Sequence, residues 1–152
     1  MSDLRQMGYE EFGKLRFLDF LPRTDDYFSY DDLESGIGLS HSEGYAFNCF
    51  CSPRCAPSQT AEILIDFGQS NCPTELAHAL LDHLGLPIRK GMSLKEVKAG
   101  IGGHIVEESS LSLKSILGDD WPYYVRCTVF AETGLHDLWI CRKDLADKES
   151  EI

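Results

Sequence analysis

Three cysteines, Cys49, Cys51 and Cys55, lie in a C-x-C-x3-C spacing, with Cys72 available as a fourth thiolate. Zinc takes four soft ligands in a tetrahedron, often from paired C-x2-C turns. In a strand, Cys49 and Cys51 would point the same way about 7 Å apart, at roughly 3.3 Å per residue. The spacing leaves three interpretations open: a structural zinc, a thiol switch, or thiols that pack in the core, which is the commonest use of buried cysteine.

The histidines do not form a catalytic pattern by their spacing. His78 and His83 are five residues apart, hence about 140° apart around a helix, and they cannot share a ligand face. His41, His104 and His136 fall in separate predicted elements. The G-x-S-x-G, P-loop and G-x-G-x-x-G signatures are absent from the sequence. We therefore expect a protein that is not an enzyme and that requires no cofactor.

Negative charge is concentrated in the middle of the chain. The net charge is -11, and residues 24–87 hold ten acids against one base, Arg54. A field of one sign repels nucleic acid phosphates and anionic membranes and attracts a basic partner. The alternative is a charged surface that only keeps the protein solvated. The ten acids are Asp25, Asp26, Asp31, Asp32, Glu34, Glu43, Glu62, Asp66, Glu75 and Asp82.

Aromatic residues are interleaved with the first acids of this region. Tyr27, Phe28 and Tyr30 follow neither a helix nor a strand period. Rings set in an anionic loop are suited to bind a basic groove, because the charges steer association and the rings anchor the contact. The predicted partner-binding residues are therefore Asp25, Asp26, Tyr27, Phe28, Tyr30, Asp31, Asp32, Glu34 and Glu43.

The hydrophobic pattern predicts an α+β fold. A chain of 152 residues with 43% hydrophobic residues is long enough for one domain with a real core. Lys14 to Leu21 alternates as a first strand, and residues 44–51 and 61–67 are predicted to form a hairpin with a long connection. Two helices follow: one begins near Pro73 and ends at Gly85, and the other is capped by Ser93.

Four further strands are predicted over residues 104–109, 111–117, 122–131 and 135–142. Their short connections favour an antiparallel meander. The predicted fold is thus a single antiparallel sheet packed against a helix pair, in one domain over 1–152. Its parts are an acidic part over 1–72, an αα-ββββ part over 73–143 and a frayed tail over 144–152.

The segment between Arg89 and Gly102 resembles a signature of the fold shared by the outer-membrane assembly lipoprotein BamE and the β-lactamase inhibitor protein. The signature is basic-x-GM-S/T-x-x-E/Q-V-x-x-x-hydrophobic-G, and the resemblance covers Thr74 to Arg142. It implies a helix pair followed by an antiparallel sheet, in a fold used for protein contacts. The matching positions are Gly91, Met92, Ser93, Glu96, Val97, Ile101 and Gly102.

Size, acidity and mixed architecture also resemble bacterial immunity proteins, which neutralise toxins. The N-terminal residues mix acids with apolar residues and contain no signal-peptide core, so we expect a cytoplasmic location. The sequence therefore predicts an acidic protein-binding domain that inhibits a basic partner protein, with neither nucleic acid nor membrane as partner. The alternative function is a metal- or redox-responsive module organised by Cys49, Cys51, Cys55 and Cys72.

Overall fold

The computed structural model describes residues 3–15, 37–41, 60–68 and 74–150. These residues confirm the α+β class, with an antiparallel sheet. The strands are β1 (Ile37–His41), β2 (Thr60–Asp66), β3 (His104–Glu108), β4 (Ser112–Leu117), β5 (Tyr123–Phe130) and β6 (Gly134–Arg142). The helices are a 3-10 turn (Leu4–Gln6), α1 (Tyr9–Gly13), α2 (Thr74–His83), α3 (Leu94–Ile101) and α4 (Lys143–Ser150).

The described strands form one sheet in the order β1-β2-β6-β5-β4-β3. All neighbouring strands are antiparallel, and the four strands predicted after Gly103 follow one another as a meander. β2 lies where residues 61–67 were predicted to be extended, and its two neighbours are β1 and β6. The run 44–51, predicted as its hairpin partner, lies outside the described residues.

The first described elements are helical, so the prediction that the fold begins with a strand at Lys14 is wrong for its first residues. Lys14 ends α1, and residues 16–21 lie outside the described part. The physical reason for this difference is burial, because the helical elements place Leu4, Met7 and Phe12 in the core. The side chain of Asp3 accepts a hydrogen bond from Arg5 N and starts the first turn.

The helix α3 has the predicted capping box. Ser93 Oγ accepts from Glu96 N, and Glu96 Oε1 accepts from Ser93 N at 3.1 Å. Val97 and Ile101 bury the apolar side of α3, and α2 buries Leu80 and Leu81 in the same core. The core also includes inward-facing residues of the meander, so both helices cover one face of the sheet, which we call the inner face.

The linker between α2 and α3 is bonded to the start of β6. Leu135 N donates to Met92 O at 2.8 Å, and Gly91 N donates to Leu135 O at 3.3 Å. Gly134 has a φ of 76°, and a Cβ there would lie 2.1 Å from Gly91 O. The close approach of these two backbones therefore requires glycine at 134.

The C-terminal residues 143–150 form α4, so the prediction of a frayed tail from residue 144 is wrong over this range. Leu145 and Ala146 are buried, which stabilises the helix on the sheet. Tyr124 donates to Asp147 at 2.6 Å, which holds α4 near the opposite, outer face of the sheet. The sequence pattern missed α4 because two apolar residues are outnumbered by charged ones.

Candidate functional site

A β-bulge in β6 redirects the side chain of His136. Thr128 pairs with Asp137 and Val129 pairs with Leu135, so His136 is the extra residue on its strand. Bulges turn a side chain away from the regular alternation. The imidazole of His136 therefore lies beside the carboxylate of Asp137, with Nδ1 2.7 Å from Asp137 Oδ2.

A second carboxylate reaches the same place from β2. Asp66 is directly opposite Asp137 in the β2–β6 ladder, and Asp66 Oδ1 lies 3.9 Å from His136 Nδ1. Gly68 N donates to the same oxygen at 2.9 Å, which orients this carboxylate. Asp66, His136 and Asp137 form what we call the Asp-His-Asp cluster. Its side chains are 30%, 34% and 32% exposed, respectively, so solvent reaches each of them.

The imidazole of the cluster is held on several sides. Phe67 N donates to His136 O at 2.8 Å, and the Phe130 ring lies edge-on to the imidazole, 4.8 Å between centroids. A Cβ at Gly68 would lie 2.2 Å from His136 Nε2, so a side chain at position 68 would displace the ring. The bulge, the aromatic contact and the glycine together fix where the ring lies.

The cluster has two chemical capacities. A carboxylate that accepts the Nδ1 hydrogen of a neutral imidazole leaves Nε2 as a proton acceptor, which is the arrangement of a general base. Alternatively, the ring nitrogen and the two carboxylates can act together as metal ligands, because their ligand atoms all lie within 4.8 Å of one another. The second capacity uses all three side chains of the cluster.

A second site lies on the N-terminal helix. The recess beside α1, which we call the acid-aromatic recess, is lined by Gly8, Tyr9, Glu10, Glu11, Lys14 and Trp121. The rings of Tyr9 and Trp121 are 5.3 Å apart and edge-on, and Trp121 is 49% exposed. Lys14 already pairs with Glu10 at 3.6 Å, and Arg142 lies 4.2 Å from the centroid of the Tyr9 ring. The exposed Glu11 and Trp121 are therefore the groups that suit a lysine or arginine of a partner, through an ion pair and a cation–π contact.

Four of the ten acids of residues 24–87 lie among the described residues, and they differ in exposure. Glu62 is 4% exposed and accepts a 2.7 Å hydrogen bond from Trp139 Nε1, so the expectation that it faces outward with the other acids is wrong. Asp82 is exposed but pairs with Arg89 at 2.5 Å. Glu75 is exposed and Asp66 belongs to the cluster. The described acids of residues 24–87 therefore do not form one common patch.

The predicted partner-binding residues, from Asp25 to Glu43, lie outside the described residues, as do Cys49, Cys51, Cys55 and Cys72. The two described cysteines, Cys127 and Cys141, are buried thiols, and Cys141 Sγ donates to Arg142 O at 3.4 Å. Burial, and then the Asp137 carboxylate, raise the pKa of the Cys127 thiol to about 12. This thiol therefore packs in the core and is unreactive at neutral pH.

The other described histidines, His41, His78, His83 and His104, are not members of the cluster. His78 Nε2 accepts from Lys90 N at 3.2 Å, and burial followed by the nearby Arg89 lowers the pKa of His78. His83 lies at the end of α2 and His104 at the start of β3.

The aromatic residues of the last strands divide between core and surface, as alternation predicts. Tyr123 is fully buried, Trp139 is half-buried and Phe130 is exposed.

Sequence spacing did not identify the Asp-His-Asp cluster. The available signal was the pair His136 and Asp137, two adjacent polar residues that interrupt the alternation of LHDLWI and so indicate a bulge. The third member, Asp66, is distant in sequence and comes close only through the β2–β6 pairing.

Comparisons with protein-family models, with curated proteins and with solved structures give no match. Among the described residues, no helix is long and apolar enough to cross a membrane.

Proposed function

We propose that this protein is an acidic protein-binding domain that neutralises a basic partner protein, as bacterial immunity proteins neutralise toxins. The observation that carries this proposal is the surplus of acid. The chain has 25 acids and 14 bases, so one-to-one pairing within the chain leaves a net charge of -11. A charge of this size attracts a basic protein over a distance of about one Debye length, roughly 10 Å at 0.1 M salt.

The bases of the described residues are largely occupied within the fold. Seven of them form ion pairs with described acids. Because the chain has more acids than bases, an external basic partner could pair with the acids in surplus. The pairs are Arg5–Asp3, Lys14–Glu10, Arg89–Asp82, Lys98–Glu108, Arg126–Glu107, Arg142–Asp144 and Lys143–Asp147.

The acid-aromatic recess supports the same proposal in the described part of the chain. It combines the two residue types that are also interleaved between Asp25 and Glu43, namely carboxylates and aromatic rings. Carboxylates give electrostatic steering and charge pairing, whereas exposed rings such as Trp121 give the apolar contact energy. We assign the first contact to the acids of residues 25–43 and a supporting contact to the recess.

The test uses the full chain and the proteins encoded by the genes on either side of it, one of which we expect to be basic. We expect a complex whose affinity falls as salt rises, together with loss of the partner's activity. Trp121→Ala should weaken the complex by about tenfold or more, the size of an interface hot spot. The matched control is Leu111→Ala, because Leu111 is 47% exposed and lies outside the recess. Absence of a complex at low salt would contradict the proposal.

A further inference from the structure

We propose that the Asp-His-Asp cluster is a binding site for a divalent cation that prefers oxygen and imidazole ligands, of the manganese class. Asp66, His136 and Asp137 would each supply one ligand atom. This inference does not depend on the proposed function, because it rests on side chains of β2 and β6 that are not among the proposed contacts.

The distances fit a small cation after modest side-chain rotation. Adjacent ligands of an octahedral cation at about 2.1 Å are about 3 Å apart. In the cluster, His136 Nδ1 lies 2.7 Å from Asp137 Oδ2 and 3.9 Å from Asp66 Oδ1, so the two separations bracket that value. A cation would bind the lone pair of Nδ1 of a neutral ring, whose hydrogen is then on Nε2.

The sheet places the two carboxylates of the cluster side by side. Asp66 and Asp137 are directly opposite each other on neighbouring antiparallel strands. Like charges in that position destabilise a sheet, whereas a cation between them turns the repulsion into attraction. The ladder fixes both backbone positions, and rotation of the two side chains can bring their carboxylates to one ion.

Groups outside the cluster orient its ligands. Gly68 N donates to Asp66 Oδ1 at 2.9 Å, and Phe67 N donates to His136 O at 2.8 Å. Outer hydrogen bonds of this kind hold metal ligands in place and affect affinity by roughly 10- to 100-fold. The Phe130 ring covers one side of the imidazole, while the one-third exposure of the three side chains leaves a path for the ion.

The ligand types are compatible with manganese, and manganese is the more selective probe because zinc also binds thiolates. Two carboxylates and one imidazole are hard to borderline ligands, and three protein ligands leave open positions that water fills around an octahedral ion. Zinc would be drawn instead to thiolates, and the chain carries Cys49, Cys51, Cys55 and Cys72 elsewhere in the sequence. Binding of manganese would therefore report on this cluster and not on the cysteines.

The experiment titrates manganese chloride into the full chain and follows the electron paramagnetic resonance signal of free Mn²⁺. We expect one ion bound per chain. Asp66→Asn and Asp137→Asn keep the shape of each side chain but remove a charged ligand, and each should weaken binding by about tenfold or more. A variant with all four cysteines Cys49, Cys51, Cys55 and Cys72 changed to serine should bind as the natural chain does.

Matched controls carry the same change at exposed positions outside the cluster. Asp119→Asn is matched to the two aspartate variants and His104→Ala to His136→Ala, which removes the nitrogen ligand and should also weaken binding. Both controls should leave the affinity unchanged, and circular dichroism checks that each variant is folded. Three results would overturn the proposal: no bound manganese in the natural chain, full binding by Asp66→Asn and Asp137→Asn, or equal losses in the control variants.

Discussion

The indole of Trp139 donates a hydrogen bond of 2.7 Å from Nε1 to Oε2 of Glu62, joining β6 to β2. The carboxylate is 4% exposed, which is unusual for glutamate. A buried charge is tolerated when it accepts charge-assisted hydrogen bonds. Glu62 therefore stabilises the sheet and is not part of a surface that a partner could contact.

Replacing Trp139 with phenylalanine should destabilise the protein. The substitution keeps most of the aromatic surface but removes a donor from a buried carboxylate, at a cost of about 1.5–3 kcal/mol. The free energy of unfolding in urea measures this. The matched control is Trp121→Phe, whose ring is 49% exposed, and it should change stability by less than about 0.5 kcal/mol. Equal stability of the two variants would contradict the role of Trp139.

Replacing Gly134 with alanine should be more damaging than the same change at Gly91. Both glycines have positive φ, 76° and 86°, so alanine at either position costs about 1–2 kcal/mol in backbone strain. Only at 134 would the new Cβ also meet the backbone, 2.1 Å from Gly91 O, whereas a Cβ at 91 has its nearest neighbour at 3.8 Å. Thermal unfolding compares the two, and a Gly91→Ala loss as large as that of Gly134→Ala would argue against this contact.

The protein should lose stability at alkaline pH through the half-buried Tyr9 and the buried Tyr123. Burial raises the pKa of Tyr9 to about 12 and raises that of Tyr123 further. Their hydroxyls donate to Pro122 O at 2.7 Å and to Met7 O at 2.9 Å. In the unfolded chain both titrate near pH 10, so the unfolded state releases protons first. The stability they contribute is fully present below about pH 10 and is lost as pH rises toward 12.

Urea unfolding between about pH 8 and pH 11.5 checks this dependence. Tyr123→Phe should be less stable at pH 8, because two backbone oxygens lose their hydroxyl donor, but should lose less stability between pH 10 and 11.5. The buried thiol of Cys127 adds to the loss in both proteins from about pH 9. A natural chain whose stability stays constant to pH 11.5 would refute the assignment.

Local sequence patterns were sufficient for the parts of the fold that local chemistry determines. Ser93 and Glu96 make a capping box whatever the rest of the chain does, and period-two alternation fixes the strands after Gly103. The class of the fold and its meander followed from such signals. The sequence pattern did not predict the short helices α1 and α4. Each is stabilised by burial of a few apolar residues, among them Phe12 and Leu145, and this burial depends on the rest of the fold.

The candidate site could not be predicted from spacing, because it depends on strand pairing. Asp66 meets Asp137 only through the β2–β6 register, and His136 joins them only because a bulge interrupts the alternation. The burial of Glu62 could not be predicted for the same reason, because its partner Trp139 belongs to another strand. Long-range register is a property of the whole sheet, so residue types in one segment do not specify it.

The association rate with the basic partner, measured at low salt, tests the proposed function most directly. Reversing Asp25, Asp26, Asp31 and Asp32 to lysine removes negative charge from the predicted contact, and we expect association to slow by about tenfold. The control reverses the exposed acids Glu75, Asp119, Asp120 and Glu132, which changes the net charge equally, and it should slow association much less. An unchanged rate in the first variant, or equal slowing in both, would contradict the proposal.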